Sequence, residues 1–486
     1  MGTRQGTNVH QKAEGTSTPR ADAIRLLVMR GLRSFAYGML AVVLGVALSA
    51  EGLRPAAIGV LITVSLVGDF GGTYLIGIFA DRWGRRRTLF LLALLMAGTG
   101  AVFGLTSFYP LLLVAAFFGT LGTSASETAP FLPIDQAILP QIAAPEQQTT
   151  LFARYNLVAS FAGAAGALAA GLPDLQGPVG LSSSLKVRLL FGAYAVVALV
   201  VAWLSNQLTP AVEAARRSAQ EGLSRWQRIV PPLGRSRGIV LGLAGLFSVD
   251  ALAGGLVVQS LLVLFFHLRF GVPLAPLAAL FFGANVLSAL SFLAAAPLAR
   301  KIGLLNTMVF THLPSNVLLV LVPLMPTFPL AAFFLLLRQL LSQMDVPTRQ
   351  AYTMALVASE ARTATASVTS LARSAGSATS PVFAGMFLQG SGVFLGVPLL
   401  LAGILKALYD LTLWVIFRRV PLSEANAEPA AYGRRGQERV VSPPLPGAAP
   451  EPQVSMMEDG PQDRNSEVPP LITPAPAAQP TEGAVE

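Results

Sequence analysis

Residues Gly77 to Phe90 read GIFADRWGRRRTLF and join two long apolar stretches. Gly77 would let the end of one helix pack closely, and Asp81 puts an anion near the N-terminal end of the next segment. Gly84 permits a tight reversal, and Arg82, Arg85, Arg86 and Arg87 make that reversal densely positive. What flanks the loop excludes an ordinary soluble protein. Of 486 residues, 53% are apolar and 12% charged, where a soluble protein carries about 25% charged residues. Mean hydropathy is +0.61. Apolar runs of twenty or more residues recur, each long enough at 1.5 Å per residue to cross roughly 30 Å of hydrocarbon. The chain therefore reads as a polytopic, all-helical membrane protein.

Twelve such stretches are predicted: 31–50, 56–80, 88–107, 109–132, 152–172, 187–208, 238–266, 274–299, 304–326, 328–351, 366–389 and 393–417. An even number puts both termini on one side, and the basic residues decide which. Twenty-six Lys and Arg, Arg30 and Arg33 counted among them, fall on the side of the termini, against four on the other: Arg54, Lys186, Arg188 and Arg269. Both termini are thus expected to be cytoplasmic. The net charge of +9 is an orientation signal spread over short loops, which removes the nucleic-acid reading. Cysteine is absent and the three His are scattered, so neither thiol chemistry nor a metal cluster is expected. Residues 1–24 are polar and resemble no cleavable signal peptide.

The longest loop, 209–236, divides the spans six and six. PIDQAILPQIAAPEQQT from Pro133 lies without a gap over PTRQAYTMALVASEART from Pro347. Pro133/Pro347, Gln136/Gln350, Ala137/Ala351, Ala144/Ala358, Glu146/Glu360 and Thr149/Thr363 coincide, each copy ending the fourth span of its half. The predicted organisation is a tail (1–24), a six-helix half (25–208), a central loop (209–236), a second half (237–418) and a disordered tail (419–486). The last is rich in Pro and Ala and turns acidic after 450, a composition unable to bury a core. Two parallel six-helix repeats are a transporter architecture with the substrate site between them near the midplane.

The loop from Gly77 resembles the signature G-x-x-x-D-R-x-G-R-R of the major facilitator superfamily, at that family's position between the second and third helices. With the twelve spans, the long central loop and the repeat, the resemblance covers about residues 25–418 and identifies the chain as a member, expected to be bacterial from its Arg and Ala usage. A worn copy, Ala299-Arg300-Lys301-Ile302-Gly303, follows the eighth span without the Asp. The resemblance implies that Asp81 latches the halves together on the cytoplasmic side, with Gly77, Arg82, Gly84, Arg85 and Arg86 shaping that latch. The family's helix-four Arg motif and helix-five antiporter Pro are missing here.

Ionisable side chains in hydrocarbon are costly, about 3 kcal/mol each or more, and so are functional candidates. Asp69, Asp250 and Arg338 fall near the middle of the second, seventh and tenth spans. The resemblance places the first, fourth, seventh and tenth helices around a central cavity, giving Asp250 and Arg338, with Gln339 and Gln343, access to substrate or a coupling proton. The structural alternative is a buried Asp250–Arg338 ion pair. Asp345 with Arg349, and Glu127 with Asp135, sit at the loop ends of the tenth and fourth spans and read as gate contacts. Arg373 among Ser370, Ser374 and Ser377 reads as the gating partner of an acid. Lys406 and Asp410, four apart, read as a self-neutralising pair, and His312 with Pro314 and Asn316 as a hydrogen-bonded kink.

These residues point to a secondary active transporter that moves a small organic solute across the cytoplasmic membrane as a monomer, without a cofactor and without ATP, since no GxxxxGK[ST] occurs. Proton-coupled efflux of drug-like or amphipathic compounds is the leading reading. Proton-linked import of an anionic metabolite, held by Arg338 and Arg373, is another. A transporter-like receptor or scaffold signalling through its tail is the reading from a different class. An enzyme is not expected.

Overall fold

The computed structural model describes residues 8–124, 129–142, 145–174, 182–213, 237–357 and 361–420. Glu127, most of the expected central loop (214–236) and the expected tail from 421 lie outside the described residues. The described chain is helical, with no strand. Helices α1 (Asn8–Ala50), α2 (Pro55–Trp83), α3 (Arg85–Leu105), α4 (Tyr109–Phe118), α5 (Leu132–Ile142), α6 (Pro145–Ala169) and α7 (Ser183–Asn206) precede residues 214–236. After them come α8 (Arg237–Leu256), α9 (Gln259–Phe270), α10 (Leu274–Ile302), α11 (Leu304–Leu321), α12 (Phe328–Ser342), α13 (Asp345–Ala355), α14 (Arg362–Thr379), α15 (Pro381–Phe387) and α16 (Val397–Phe417). Among the described residues, eight helices are long and apolar enough to cross a membrane.

Four predicted spans are interrupted. The fourth ends as a helix at Phe118 and resumes as α5, with non-helical backbone through Gly119 and Gly122. The seventh is α8 and α9, broken after Gly254 and Gly255 at Val257. The tenth breaks at Gln343 and Met344, where Pro347 occupies the first turn of α13, a place Pro tolerates because that N–H has no helical partner. The eleventh breaks at Ser380, where Pro381 begins α15. At the other end of the chain, helical structure starts at Asn8, far before the first apolar run.

Packing repeats between the two groups of helices. Helix α1 lies on α6 as α8 lies on α14, α3 on α7 as α11 on α16, and α2 on α4 as α10 on α12. Lipid supplies no hydrophobic drive between helices, so close backbone approach matters. At the α1–α6 crossing a Cβ on Gly38 or Gly166 would collide with the carbonyl oxygens of Gly163 and Phe35. Across the two groups, α2 meets α15, α6 meets α10, and α1 meets α9. At the first of these a Cβ on Gly59 would lie 2.5 Å from the Pro381 oxygen, and one on Gly385 equally close to that of Pro55. Large apolar side chains such as Leu91, Leu95, Val196 and Trp203 point outward, as a lipid-facing surface requires.

Candidate functional site

Asp250 sits on α8, buried, one turn before the Gly254-Gly255 pair. Three cations from three other helices converge on it. Lys406 of α16 donates Nζ–H to Oδ1 at 2.5 Å and to the Asp250 carbonyl at 3.2 Å. Arg373 of α14 donates Nη1–H to Oδ2 at 3.0 Å. Arg349 of α13 reaches the same oxygen at 3.3 Å and holds Asp345 Oδ2 at 2.7 Å, its guanidinium over the Phe247 ring. Opposite charge at such distances, away from water, compensates much of the desolvation each group suffers.

A cavity of about 280 Å³ opens beside this cluster, lined among others by Leu66 of α2, Asp250, Arg373, Ser374, Ser377 and Lys406. Exposure separates the cations: the Arg373 side chain is 34% exposed, against 8% for Arg349 and 10% for Lys406. Arg373 is therefore the cation most available to a solute. Behind Lys406, one turn along α16, buried Asp410 has His312 Nδ1 2.9 Å from its Oδ1 and accepts Asn316 Nδ2–H at 2.8 Å, both from α11.

These contacts correct two sequence readings. Asp250 pairs with Lys406, Arg373 and Arg349 and not with Arg338. Lys406 and Asp410 do not neutralise each other, because each turns to a different neighbouring helix. Arg338 instead donates to Gln339 Oε1 at 3.2 Å, an oxygen that also accepts the Ser342 hydroxyl at 2.8 Å. The Gln343 backbone N–H goes to Ser291 Oγ. Arg338, Gln339 and Gln343 are thus a separate polar group on α12 and its end. Asp69 is half-buried on α2, near enough to Tyr37 and Tyr194 to interact electrostatically, and does not line the cavity.

At the signature loop, Gly84 takes φ +95°, a conformation other residues rarely adopt. Asp81 is 60% exposed and pairs within its own group of helices, accepting Arg85 Nε–H at 2.7 Å. Arg82 is exposed. Arg85 is buried and also reaches Gln141 of α5. Glu213, which the sequence reading passed over, caps α3: its carboxylate accepts the backbone N–H of Arg85 at 2.6 Å and of Arg86 at 3.3 Å. Gly77 meets nothing within 4 Å of where a Cβ would stand, so the expected close packing there is absent; α2 makes its close approaches at Gly59 and Gly68.

A second buried cluster was invisible in sequence. Arg30 and Arg33, counted among the loop charges, are buried on α1. Arg33 pairs with Asp135 of α5, which also accepts the Tyr155 hydroxyl of α6 at 2.6 Å. The Arg33 guanidinium covers the Phe131 ring and that of Arg30 the Tyr155 ring. Among the described residues no group of His, Cys, Asp and Glu is placed to hold a metal ion.

A bundle whose described residues include eight helices long and apolar enough to cross a membrane is a multi-pass membrane protein. Residues 26–342 match the model of the Major Facilitator Superfamily, and the chain belongs to that family. An uncharacterised membrane protein of Saccharomyces cerevisiae is 26% identical over 412 residues, 79% of this chain and 92% of that one. Among solved structures, a mutant form of the nucleoside transporter NupG superposes with a TM-score of 0.66 at 12% identity, covering 82% of this chain and 100% of that chain. A bacterial homologue of the human lysosomal transporter Spinster, inward-facing and occupied, gives 0.66 at 16%, covering 84% and 99%. A D-xylose-proton symporter gives 0.64 at 15%, covering 83% and 98%. The chain is a secondary transporter of small solutes and not an enzyme.

Proposed function

We propose that this transporter carries a small solute bearing a carboxylate or phosphate group, taken inward across the cytoplasmic membrane together with a proton. The observation that carries the reading is the cavity wall: Arg373 and Lys406 line it beside Asp250, with Ser374 and Ser377 as hydroxyl donors. Asp250 engages both cations. An entering oxyanion competes for them, and a guanidinium is suited to bidentate recognition of such a group. Efflux of amphipathic compounds calls for a mainly apolar wall, which this cavity lacks.

Rocking of the halves 25–208 and 237–418 about the cavity, with both termini in the cytoplasm, supplies alternating access. Asp81, exposed at the α2 end and paired with Arg85, then exchanges that partner for the other half when that side closes. Uptake into proteoliposomes tests the proposal with gluconate, glucose 6-phosphate, a nucleoside and the lipophilic cation ethidium offered in parallel. Uptake of an anion that is lost in Arg373→Ala supports it. Uptake of ethidium or the nucleoside alone, unaffected by Arg373→Ala, would overturn it.

A further inference from the structure

We infer that the first group of helices closes the cavity, on the side away from the signature loop, by capping helices of the second group, and that these caps are released when that side opens. The inference rests on the rocking of the halves proposed above and not on the charge of the solute.

A helix leaves its first four N–H groups without intrahelical partners, and in hydrocarbon each group left unpaired is costly. Three helices of the second group have no side-chain cap from the residue before them: Val258 precedes α9, Pro273 precedes α10 and Ser380 precedes α15. Each takes an acceptor from the first group instead. Thr63 Oγ1 of α2 accepts Val382 N–H of α15 at 3.0 Å, the first N–H after Pro381. The Thr123 carbonyl, in the non-helical backbone between α4 and α5, accepts the Ser260 N–H of α9 at 3.2 Å and the Ser260 hydroxyl at 3.1 Å. The Asp174 carboxylate, between α6 and α7, accepts Ala275 N–H of α10 at 2.7 Å, an anion at the positive end of a 29-residue helix.

Glycines let the backbones meet at these junctions. A Cβ on Gly59 or Gly385 would strike backbone near Thr63 and Val382, one on Gly45 would lie 2.8 Å from the Ser260 oxygen, and one on Gly171 3.0 Å from the Ala275 Cα. Two of the junctions adjoin the cavity: Leu66, one turn after Thr63, and Val258, two residues before Ser260, both line it. At the signature-loop end, Asp81 and Glu213 bond Arg85 within the first group, and Asp345 bonds Arg349 within the second. Rocking open on the far side separates the acceptors from α9, α10 and α15 and admits water to the freed N–H groups. Water replaces each bond in that state, so removing an acceptor weakens the closed state alone.

The chain has no cysteine, so Leu105→Cys and Val393→Cys, both at strongly exposed positions on the face opposite the signature loop, take nitroxide labels in the full-length protein. Double electron–electron resonance in nanodiscs then reads the separation of the two groups on that face. The expected result is a short separation as the main population and a longer one as the minor population. Thr63→Val removes the acceptor and should raise the ratio of long to short about fivefold. Asp174→Ala should raise it about threefold, and Thr63→Ser, which keeps the hydroxyl, should leave it unchanged. A minor population that neither Thr63→Val nor Asp174→Ala enlarges, or a Thr63→Ser protein that opens as Thr63→Val does, overturns the inference and spares the rocking. One separation throughout, in the labelled parent and in every variant, strikes the rocking itself and the caps with it.

Discussion

The two buried ion clusters occupy matching places but with opposite polarity. In the first group of helices a cation on α1, Arg33, meets an acid on α5, Asp135. In the second, an acid on α8, Asp250, meets a cation on α13, Arg349. In the repeat that aligns Pro133 with Pro347, Asp135 falls over Arg349, so the same slot holds opposite charges. The third partner also corresponds by place, Tyr155 on α6 and Arg373 on α14. Their surroundings differ: Arg33 and Asp135 are fully buried, whereas Arg373 opens onto a cavity. One bundle architecture has thus produced a sealed brace and a cavity wall.

The largest effect should follow from breaking either acid. Asp135→Ala leaves Arg33 buried without its carboxylate, and Asp250→Ala strands Lys406, while Arg349 keeps Asp345; each should cost about 3 to 5 kcal/mol. Chemical unfolding in detergent checks both, and near-equal losses would show that the clusters serve the fold alike. Gly166→Leu should cost about 1 to 3 kcal/mol by forcing α1 and α6 apart, read in the same assay. Glu213→Gln should lower stability by about 1 kcal/mol through its weakened cap on α3. Asp81→Asn should change stability by less than about 1 kcal/mol, since the Asp81 side chain is itself 60% exposed and Arg85 keeps Gln141. A marked change in transport rate with that substitution would place Asp81 in the conformational cycle instead.

Much of this was legible in the sequence for simple reasons. Apolar length marks the spans, and Gly84 has the positive φ that a tight reversal demands. Asp345 and Arg349 pair because four residues make one helical turn. Other features depended on what the fold brings together. The Arg33–Asp135 pair spans 102 residues and the Lys406–Asp250 pair 156, and no local pattern encodes either. Counting Arg30 and Arg33 as loop charges failed because α1 continues unbroken through them into the bundle. Joining Lys406 to Asp410 failed because spacing of four permits a pair but does not require one; the flanking α8 and α11 offered each side chain a nearer partner.

The contrast between a sealed brace and a wall proposed to bind an anion is addressed most directly by a thermal-shift experiment with gluconate. Purified wild type, Asp135→Ala and Arg373→Ala would be melted with and without ligand, since binding to the folded state raises the melting temperature. Asp135→Ala is expected to start lower yet keep its ligand-induced rise, and Arg373→Ala to start near the wild type and lose the rise. A rise that persists in Arg373→Ala would contradict the assignment of the binding wall to α8, α14 and α16.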